Sequence, residues 1–329
     1  MSRHKAAPDQ SPLLLVLGFV LIAGLLFGLF KLVGPGGDDT ADVNAVLNRS
    51  TPSDDARSPQ LRVQEGETLE PSPAATCEDV DVDTDITVLS YNIKSARISG
   101  GIGTFLGIIR SSGADIVLLQ EVDKNRSTSG HVDQAGWLAA NLGGWSDAFG
   151  TNVDYGGGLY GTAIISRFPI VSYENTHLPN GPGGQQRGLL HAVVDVDGVE
   201  LSLYDTHLQN KIDYLKVRQA QAIAPIIAAD DRPKVLAGDF NSQVQDTPLR
   251  TIIGGTGMHD TWGAVGVGSG LTHPSSHPRG RIDLQLYGGD GLTAITSSVL
   301  ATTASDHRPV RAEYTLSGAS SKVCGDLFG

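Results

Sequence analysis

The sequence predicts one α/β or α+β domain built around a mixed β-sheet. Between Thr84 and Leu316, short apolar runs typical of strands are interspersed with segments of helical periodicity. Strands and helices do not alternate regularly, and an Asp-Gly pair at residues 197–198 separates two strand-like runs, as in a β-hairpin. A hairpin joins antiparallel strands, so this pattern favours a mixed sheet over a purely parallel one.

The elements follow from apolar runs and from the residues that interrupt them. Predicted strands cover residues 86–91, 116–119, 163–166, 189–196, 200–204, 235–239, 282–287 and 310–316. Predicted helices cover residues 102–110, 135–142 and 212–229, and a fourth begins near residue 246. Pro225 is expected to kink or shorten the third helix, because proline has no backbone N–H. No internal repeat is visible in the sequence.

Residues 13–33 are predicted to cross a membrane as one helix or signal anchor. Residues 13–30 carry no charge, and Lys31 can snorkel so that the apolar segment continues for two more residues. Basic residues precede the segment and acidic residues follow it, so the positive-inside rule leaves residues 1–12 in the cytoplasm and exports the rest. A cleaved secretory signal would have the same basic start, and it also exports the domain.

Residues 34–83 are rich in Pro, Gly, Ser, Asp and Glu without a sustained apolar period, which predicts a disordered stalk. The folded domain is then expected at residues 84–316, followed by a tail at 317–329. Cys77 precedes the first predicted strand and Cys324 follows the last. In an oxidising compartment we expect a disulfide between them, with two unrelated thiols as the alternative.

The chain is acidic, with a formal net charge of −12 from 36 acidic and 24 basic residues. Such a surface repels a phosphate backbone, which argues mildly against tight nucleic-acid binding. It does not exclude a nuclease, because a bound metal ion can supply positive charge locally.

Polar side chains recur where apolar strands end. In VLAGDFN at residues 235–241, Asp239 and Asn241 lie two apart, on the same side of an extended chain. Further polar residues at strand boundaries are Asn92 in LSYN, Glu121 in LLQE, His207 in YDTH, Asp283 in RID, and Asp306 and His307 in SDHRP. Each has a structural explanation by itself, such as a turn or an Asx motif. Together they favour an oxygen-rich site for Mg²⁺ or Mn²⁺ in a crevice at the strand ends.

The motifs LSYNI, LLQEV, THL, GDFN, RID and SDHRP resemble those of the endonuclease/exonuclease/phosphatase superfamily. This group includes pancreatic deoxyribonuclease, apurinic endonucleases, bacterial sphingomyelinases and inositol polyphosphate 5-phosphatases. The resemblance covers about residues 84–316 in family order. It implies a four-layer sandwich, in which two mixed β-sheets lie face to face with helices outside, and a metal-dependent phosphoester hydrolase. It does not identify the substrate.

The resemblance also implies a metal site. Glu121 would be the principal Mg²⁺ ligand, with Asn92 beside it and Asp306 also at the metal. Arg187 matches a family arginine that would reach a substrate oxygen or buttress Glu121. One bound ion is the simplest assignment, because the sequence offers few carboxylates for a second.

The remaining site residues would act on the phosphate and the attacking water. By resemblance, Asp239 would position or deprotonate water, and Asn241 would hold a phosphate oxygen. His307, oriented by Asp283, would bind phosphate and assist proton transfer. His207 occupies the position where relatives place a His or Tyr near the scissile phosphate.

The sequence therefore predicts an exported, membrane-anchored hydrolase of phosphodiester or phosphomonoester bonds that depends on Mg²⁺, with Mn²⁺ as the other suitable ion. Its substrate would be a small molecule, a lipid headgroup or nucleic acid, and no protein partner is inferred. The alternatives are an extracellular DNA endonuclease and a catalytically silent surface binding domain. A zinc site at His273 and His277 is not favoured, because their spacing is not a tight metal motif.

Overall fold

Two mixed β-sheets of six strands each form the centre of the protein in the computed structural model, which describes residues 80–320. Within these residues no helix is long and apolar enough to cross a membrane. The predicted membrane segment at 13–33, the stalk up to residue 79, and both Cys77 and Cys324 lie outside the described residues. The span and the disulfide therefore stay predictions.

The described part of the chain contains five α-helices and twelve strands. The helices are α1 (Ile102–Ser112), α2 (Gln134–Asn141), α3 (Asp213–Ala228), α4 (Thr247–Thr256) and α5 (Thr261–Val265). The strands are β1 (Val80–Asn92), β2 (Ile116–Lys124), β3 (Ser146–Tyr155), β4 (Gly158–Ser166), β5 (Ile170–His177), β6 (Gly188–Val196), β7 (Val199–His207), β8 (Lys234–Asp239), β9 (His259–Asp260), β10 (Asp283–Gly288), β11 (Leu292–Val299) and β12 (Val310–Ser320). The strand orders are β11-β12-β1-β2-β4-β3 in the first sheet and β5-β6-β7-β8-β10-β9 in the second.

Each sheet has one parallel pair of strands at its centre. In the first sheet β1 pairs with β2, and in the second β7 pairs with β8. The flanking pairs are antiparallel in both sheets, so the two sheets share one pairing pattern although the sequence shows no repeat. Parallel strands end at the same edge of a sheet. Asn92 thus lies opposite Gln120 in one sheet, and His207 lies opposite Asp239 in the other.

Successive side chains of a strand point to opposite faces of the sheet, so the buried apolar side chains are divided among three clusters. Val88 of β1 belongs to the cluster between the two sheets, whereas its neighbour Leu89 belongs to the cluster under α1 and α2. A third cluster, which includes Ile223 of α3 and Leu249 of α4, covers the outer face of the second sheet. The layers are helices, sheet, sheet and helices. This confirms two mixed sheets flanked by helices.

The missed strands lie at the sheet edges. β3 and β11 border the first sheet, and β5 and β9 border the second. Edge strands are more exposed to solvent than central strands and need fewer apolar residues. Their apolar pattern in the sequence is therefore weak. In β5, for example, the four residues from Val171 to Glu174 are all exposed.

Several element boundaries differ from the prediction, and β4, for example, starts at Gly158, five residues earlier than predicted. β1 starts at Val80 and β12 continues to Ser320 because these two strands pair along their whole length, which brings residues 80–83 and 317–320 into the sheet. The structure also continues β2 past Glu121 to Lys124. Pro225 lies in the last turn of α3, which continues to Ala228.

A buried polar contact joins the two sheets directly below the strand ends. The amide Nε2 of Gln120 in β2 donates to Oδ1 of Asp205 in β7 over 2.7 Å, and both side chains are fully buried. Burial raises the pKa of Asp205 well above its ordinary value, against the hydrogen bond from Gln120. The carboxyl group therefore keeps its proton at a pH where an exposed aspartate has lost it.

Replacing Asp205 with Asn should remove a pH dependence of stability. In the unfolded chain Asp205 loses its proton above about pH 4, so the folded state binds more protons and the stability falls as the pH rises, by up to about 1.4 kcal/mol per pH unit. The Asn side chain keeps the shape and does not titrate. We expect the stability of Asp205→Asn relative to wild type to increase between about pH 5 and about pH 8, measured by urea denaturation.

The control is Asp290→Asn, at an exposed position next to a turn. Its stability relative to wild type should change little over the same range. Parallel pH profiles for wild type and Asp205→Asn would show that Asp205 ionises in the folded protein.

Candidate active site

Most of the predicted site residues line one pocket of about 680 Å³ at the carboxyl ends of the parallel strand pairs. The predicted residues that line it are Glu121, Arg187, His207, Asp239, Asn241, Asp306 and His307. The other lining residues are Lys94, Tyr160, Gln185, Gln209, Asn210, Lys211, His273 and Ile282. Asn92 and Asp283 do not line the pocket, but both are buried and bonded to residues that do. The structure thus brings all nine predicted residues together.

The carboxylate of Asp239 lies at the centre of the site. It accepts hydrogen bonds from Nδ2 of Asn92 at 3.0 Å and from the backbone N–H of Asn241 at 3.0 Å. Its Oδ2 also lies 3.3 Å from Nε2 of His207 and 3.6 Å from Nε2 of His307. Burial and the neighbouring Asp283 carboxylate raise the pKa of Asp239 to about 7, against the attraction of His307. Asp239 is therefore poised to exchange a proton near neutral pH.

His207 is held in one neutral tautomer by Arg187. Nη1 of Arg187 lies 3.0 Å from Nδ1 of His207, and because a guanidinium only donates, Nδ1 is the acceptor. The ring hydrogen then sits on Nε2 and points to Asp239. Burial and the positive charge of Arg187 hold the pKa of His207 well below its ordinary value. Arg187 thus buttresses His207, and its predicted contact with a substrate oxygen or with Glu121 stays a prediction.

His307 forms an ion pair with the buried Asp283. Nδ1 of His307 lies 2.9 Å from Oδ2 of Asp283, which fixes the orientation of the ring. Burial alone would lower the pKa of His307, but the carboxylates of Asp283, Asp239 and Asp306 raise it to about 10. The ring is therefore a cation whose Nε2–H faces the pocket. This pairing is the one that the resemblance implied.

Glu121 reaches the pocket from a β-bulge. Two residues of β2 oppose one of β4 at this point, and Glu121 has a φ of 56°, the left-handed region that non-glycine residues avoid. In a regular strand the pleat would place the Glu121 carboxylate on one face of the sheet. The bulge instead turns this carboxylate towards the pocket. Oε1 of Glu121 accepts a hydrogen bond from Nδ2 of Asn92 at 3.1 Å.

The side-chain amide of Asn92 is hydrogen-bonded through both its oxygen and its nitrogen. Its Oδ1 accepts the backbone N–H of Lys94 at 3.1 Å, which fixes the orientation of the amide. Nδ2 is thereby directed to both Glu121 and Asp239. The Asn92 atom next to Glu121 is thus a donor in this arrangement, and the expected ligand role of Asn92 stays a prediction.

The remaining donors still fit a hard divalent ion. Glu121 and Asp306 place carboxylate oxygens at the pocket, and these are the ligands that Mg²⁺ and Mn²⁺ prefer. Among the described residues, two groups have closely spaced ligand atoms, His273 with Asp306 and His307, and Asp239 with Asp283 and His307. His273 lines this pocket, whereas His277 does not.

Lys94 and His273 are among the eight pocket residues that were not assigned from the sequence, and both contact predicted site residues. Lys94 pairs through its ammonium with Asp306, and the ring of His273 lies 4.5 Å from that of His307 between centroids. Lys94 follows Asn92 by two residues, and this closeness to a strand end was the available signal. His273 lies 34 positions before His307 in a Pro-rich loop, and only the folding of that loop places it in the site.

Comparison with known proteins identifies the family of this chain. The sequence model of the Endonuclease/Exonuclease/phosphatase family matches residues 89–307. Protein YbhP of Escherichia coli K12 is 30% identical over 232 residues, which cover 63% of this chain and 86% of YbhP.

Solved structures share the fold. An endonuclease/exonuclease/phosphatase from Beutenbergia cavernae is 27% identical with a TM-score of 0.60, covering 71% of this chain and 72% of that one. A mannosyl-6-phosphatase from Bacteroides thetaiotaomicron has a TM-score of 0.58 and covers 70% of this chain and 99% of its own. At 17% identity, the second likeness shows the fold alone.

The bulge at Glu121 predicts an order of stability for two variants. Glu121→Gly and Glu121→Ala both remove the carboxylate, but only glycine adopts a positive φ freely. We expect Glu121→Gly to be the more stable by about 1 kcal/mol in urea denaturation, the typical cost of a left-handed residue. Equal stabilities, or a more stable alanine variant, would show that the bulge relaxes without strain.

Proposed function

The chain belongs to the endonuclease/exonuclease/phosphatase family, and from this premise we propose that it hydrolyses a phosphomonoester or phosphodiester with the help of Mg²⁺. Members of this family are phosphoester hydrolases, among them phosphatases and nucleases. We also propose that the catalytic domain is exported and anchored in a membrane by residues 13–33.

The main support for the proposal is the set of hydrogen-bond partners around the Asp239 carboxylate. Its carboxylate is held by Asn92, His207 and the backbone N–H of Asn241, so its orientation is fixed before substrate binds. Such a carboxylate can accept the proton of a water molecule and direct its oxygen at phosphorus. Preorganisation matters here, because a held acceptor does not have to reorient during the reaction.

His307 and Asn241 supply the groups that a phosphate needs. The cationic ring of His307 is fixed by Asp283, and its Nε2–H can donate to a phosphoryl oxygen that gains charge. Asn241, in a left-handed conformation with φ of 47°, lines the same pocket. Its Nδ2 donates to the carbonyl of Leu208, so one amide hydrogen remains for a phosphate oxygen.

Glu121 and Asp306 would hold the divalent ion at this pocket. Bound there, Mg²⁺ would neutralise phosphate charge and offset the charge that develops in the transition state. Arg187 and the neutral His207 keep Asp239 in place.

The DNA endonuclease is the second candidate. The net charge of −12 argues against it. The catalytically silent domain is not favoured, since the acid, amide and His residues converge in one pocket. The likeness to a mannosyl-6-phosphatase makes sugar phosphates worth including among the substrates tested.

Removal of the metal should abolish turnover. We expect cleavage of bis-p-nitrophenyl phosphate or p-nitrophenyl phosphate with Mg²⁺ and its loss in EDTA. Glu121→Ala should lower kcat by at least about 100-fold, because a catalytic metal ion contributes several kcal/mol. The control is Glu174→Ala, an exposed carboxylate on β5, which should keep wild-type turnover.

The same assay with mannose 6-phosphate, phosphoinositides, sphingomyelin and plasmid DNA separates the substrate classes. EDTA-sensitive nicking of DNA as the main activity would favour the nuclease. Full activity of Glu121→Ala would overturn the metal assignment, and no turnover with no metal bound would support the silent domain.

Export predicts that the folded domain is accessible from outside the cell. Protease added to intact cells should digest the domain while a cytoplasmic marker survives, and the protein should fractionate with membranes. Protection from protease would contradict export, and recovery from the medium would indicate a cleaved signal. Two free thiols at Cys77 and Cys324 in the exported protein would contradict the disulfide.

A further inference from the structure

Lys94 lies in a backbone conformation that lysine rarely adopts. Lys94, Ser95 and Ala96 have φ of 49°, 52° and 55°, so they form a short left-handed turn directly after β1. For residues other than glycine such a conformation costs about 1 kcal/mol or more each. Strain of this kind persists only where the surrounding structure holds it, and it is concentrated at functional sites.

Buried hydrogen bonds hold this turn in place. Oγ of Ser95 donates to Oδ1 of Asp123 at 2.9 Å, and Nε2 of Gln134 donates to the carbonyl of Ser95 at 2.8 Å. On the other side, the backbone N–H of Lys94 donates to Oδ1 of Asn92 at 3.1 Å. The turn is thus tied to the strands that carry Asn92 and Glu121.

The turn places the Lys94 ammonium among carboxylates at the pocket. Nζ of Lys94 pairs with Oδ2 of Asp306, and the two side chains are 37% and 27% exposed. The Lys94 ammonium therefore lies against one of the two carboxylates that would hold the divalent ion, in the pocket that Glu121 also lines.

We infer that Lys94 is a cation of the metal site. It pairs with Asp306 and competes for this carboxylate with the one divalent ion that Glu121 and Asp306 would hold. The inference rests on the proposed function, since it concerns the same metal site. A divalent ion that binds Asp306 has to displace the ammonium from this carboxylate.

The expected effect follows from the charge. An ammonium next to a divalent ion repels it, so we expect removal of this charge to tighten binding about tenfold, which corresponds to about 1.4 kcal/mol. When the Lys94 ammonium is removed, the Asp306 carboxylate is also free of its ion pair and available to the metal. Both effects act in the same direction, towards tighter metal binding when the lysine charge is removed.

The test is Mn²⁺ binding without substrate, measured by isothermal titration calorimetry on the full chain in detergent. Wild type should bind one ion per chain, and Lys94→Met should lower the Kd for Mn²⁺ about tenfold. Lys94→Arg keeps the charge and should stay within about threefold of wild type. The matched control is Lys124→Met, because Lys124 is 33% exposed and pairs with Asp133 at 3.0 Å away from the pocket. It should bind as wild type does.

An unchanged or higher Kd in a folded Lys94→Met, or two ions per chain in wild type, would overturn the inference. Circular dichroism and thermal unfolding establish folding, and Lys94→Gln replaces Lys94→Met if the latter does not fold. If wild type binds Mn²⁺ through Glu121, as its loss in Glu121→Ala would show, and Lys94→Met binds equally, only the inference fails. If wild type binds no Mn²⁺, the proposed metal site fails with it.

Discussion

The hydrogen bond from Asn92 to Asp239 is the contact on which the site depends, because it joins the carboxyl ends of the two parallel strand pairs. Asn92 ends β1 in one sheet and Asp239 ends β8 in the other, and their side chains meet at 3.0 Å. The same amide donates to Glu121. One carboxamide therefore fixes the distance between the general-base candidate and the metal-ligand candidate, and each sheet contributes one of them.

The rest of the fold supports that contact. The buried Gln120–Asp205 pair holds the sheets together immediately below it. Asp239 would otherwise be an uncompensated buried carboxylate, and such a group is costly unless it is hydrogen-bonded or paired. His207 and His307 lie on either side of Asp239, the first held by Arg187 and the second by Asp283. The pocket thus combines the neutral imidazole of His207 and the cationic imidazole of His307 around the same carboxylate. The partner of each ring, Arg187 or Asp283, determines its charge.

Backbone strain is also concentrated at this site. Glu121, Asn241 and Lys94 all have positive φ, and all three line the pocket. Each lies just where a strand is interrupted or has ended, so the strain turns a side chain from a sheet face into the crevice. A smooth continuation of β2 could not have placed Glu121 at the edge, because its pleat alternates between the two faces.

The sequence alone determined the class of fold, the central strands and the polar residues at their ends. These strands are buried, so their apolar runs are strong, and the residues at their ends are conspicuous exceptions. The edge strands β3, β5, β9 and β11 depended on tertiary pairing, since exposed strands need little apolar pattern. Only the tertiary structure decided which way the Asn92 amide points, which histidine carries a charge, and that Lys94 and His273 belong to the site. Those properties depend on distances of a few ångströms between segments far apart in the chain, and no local pattern of residues encodes them.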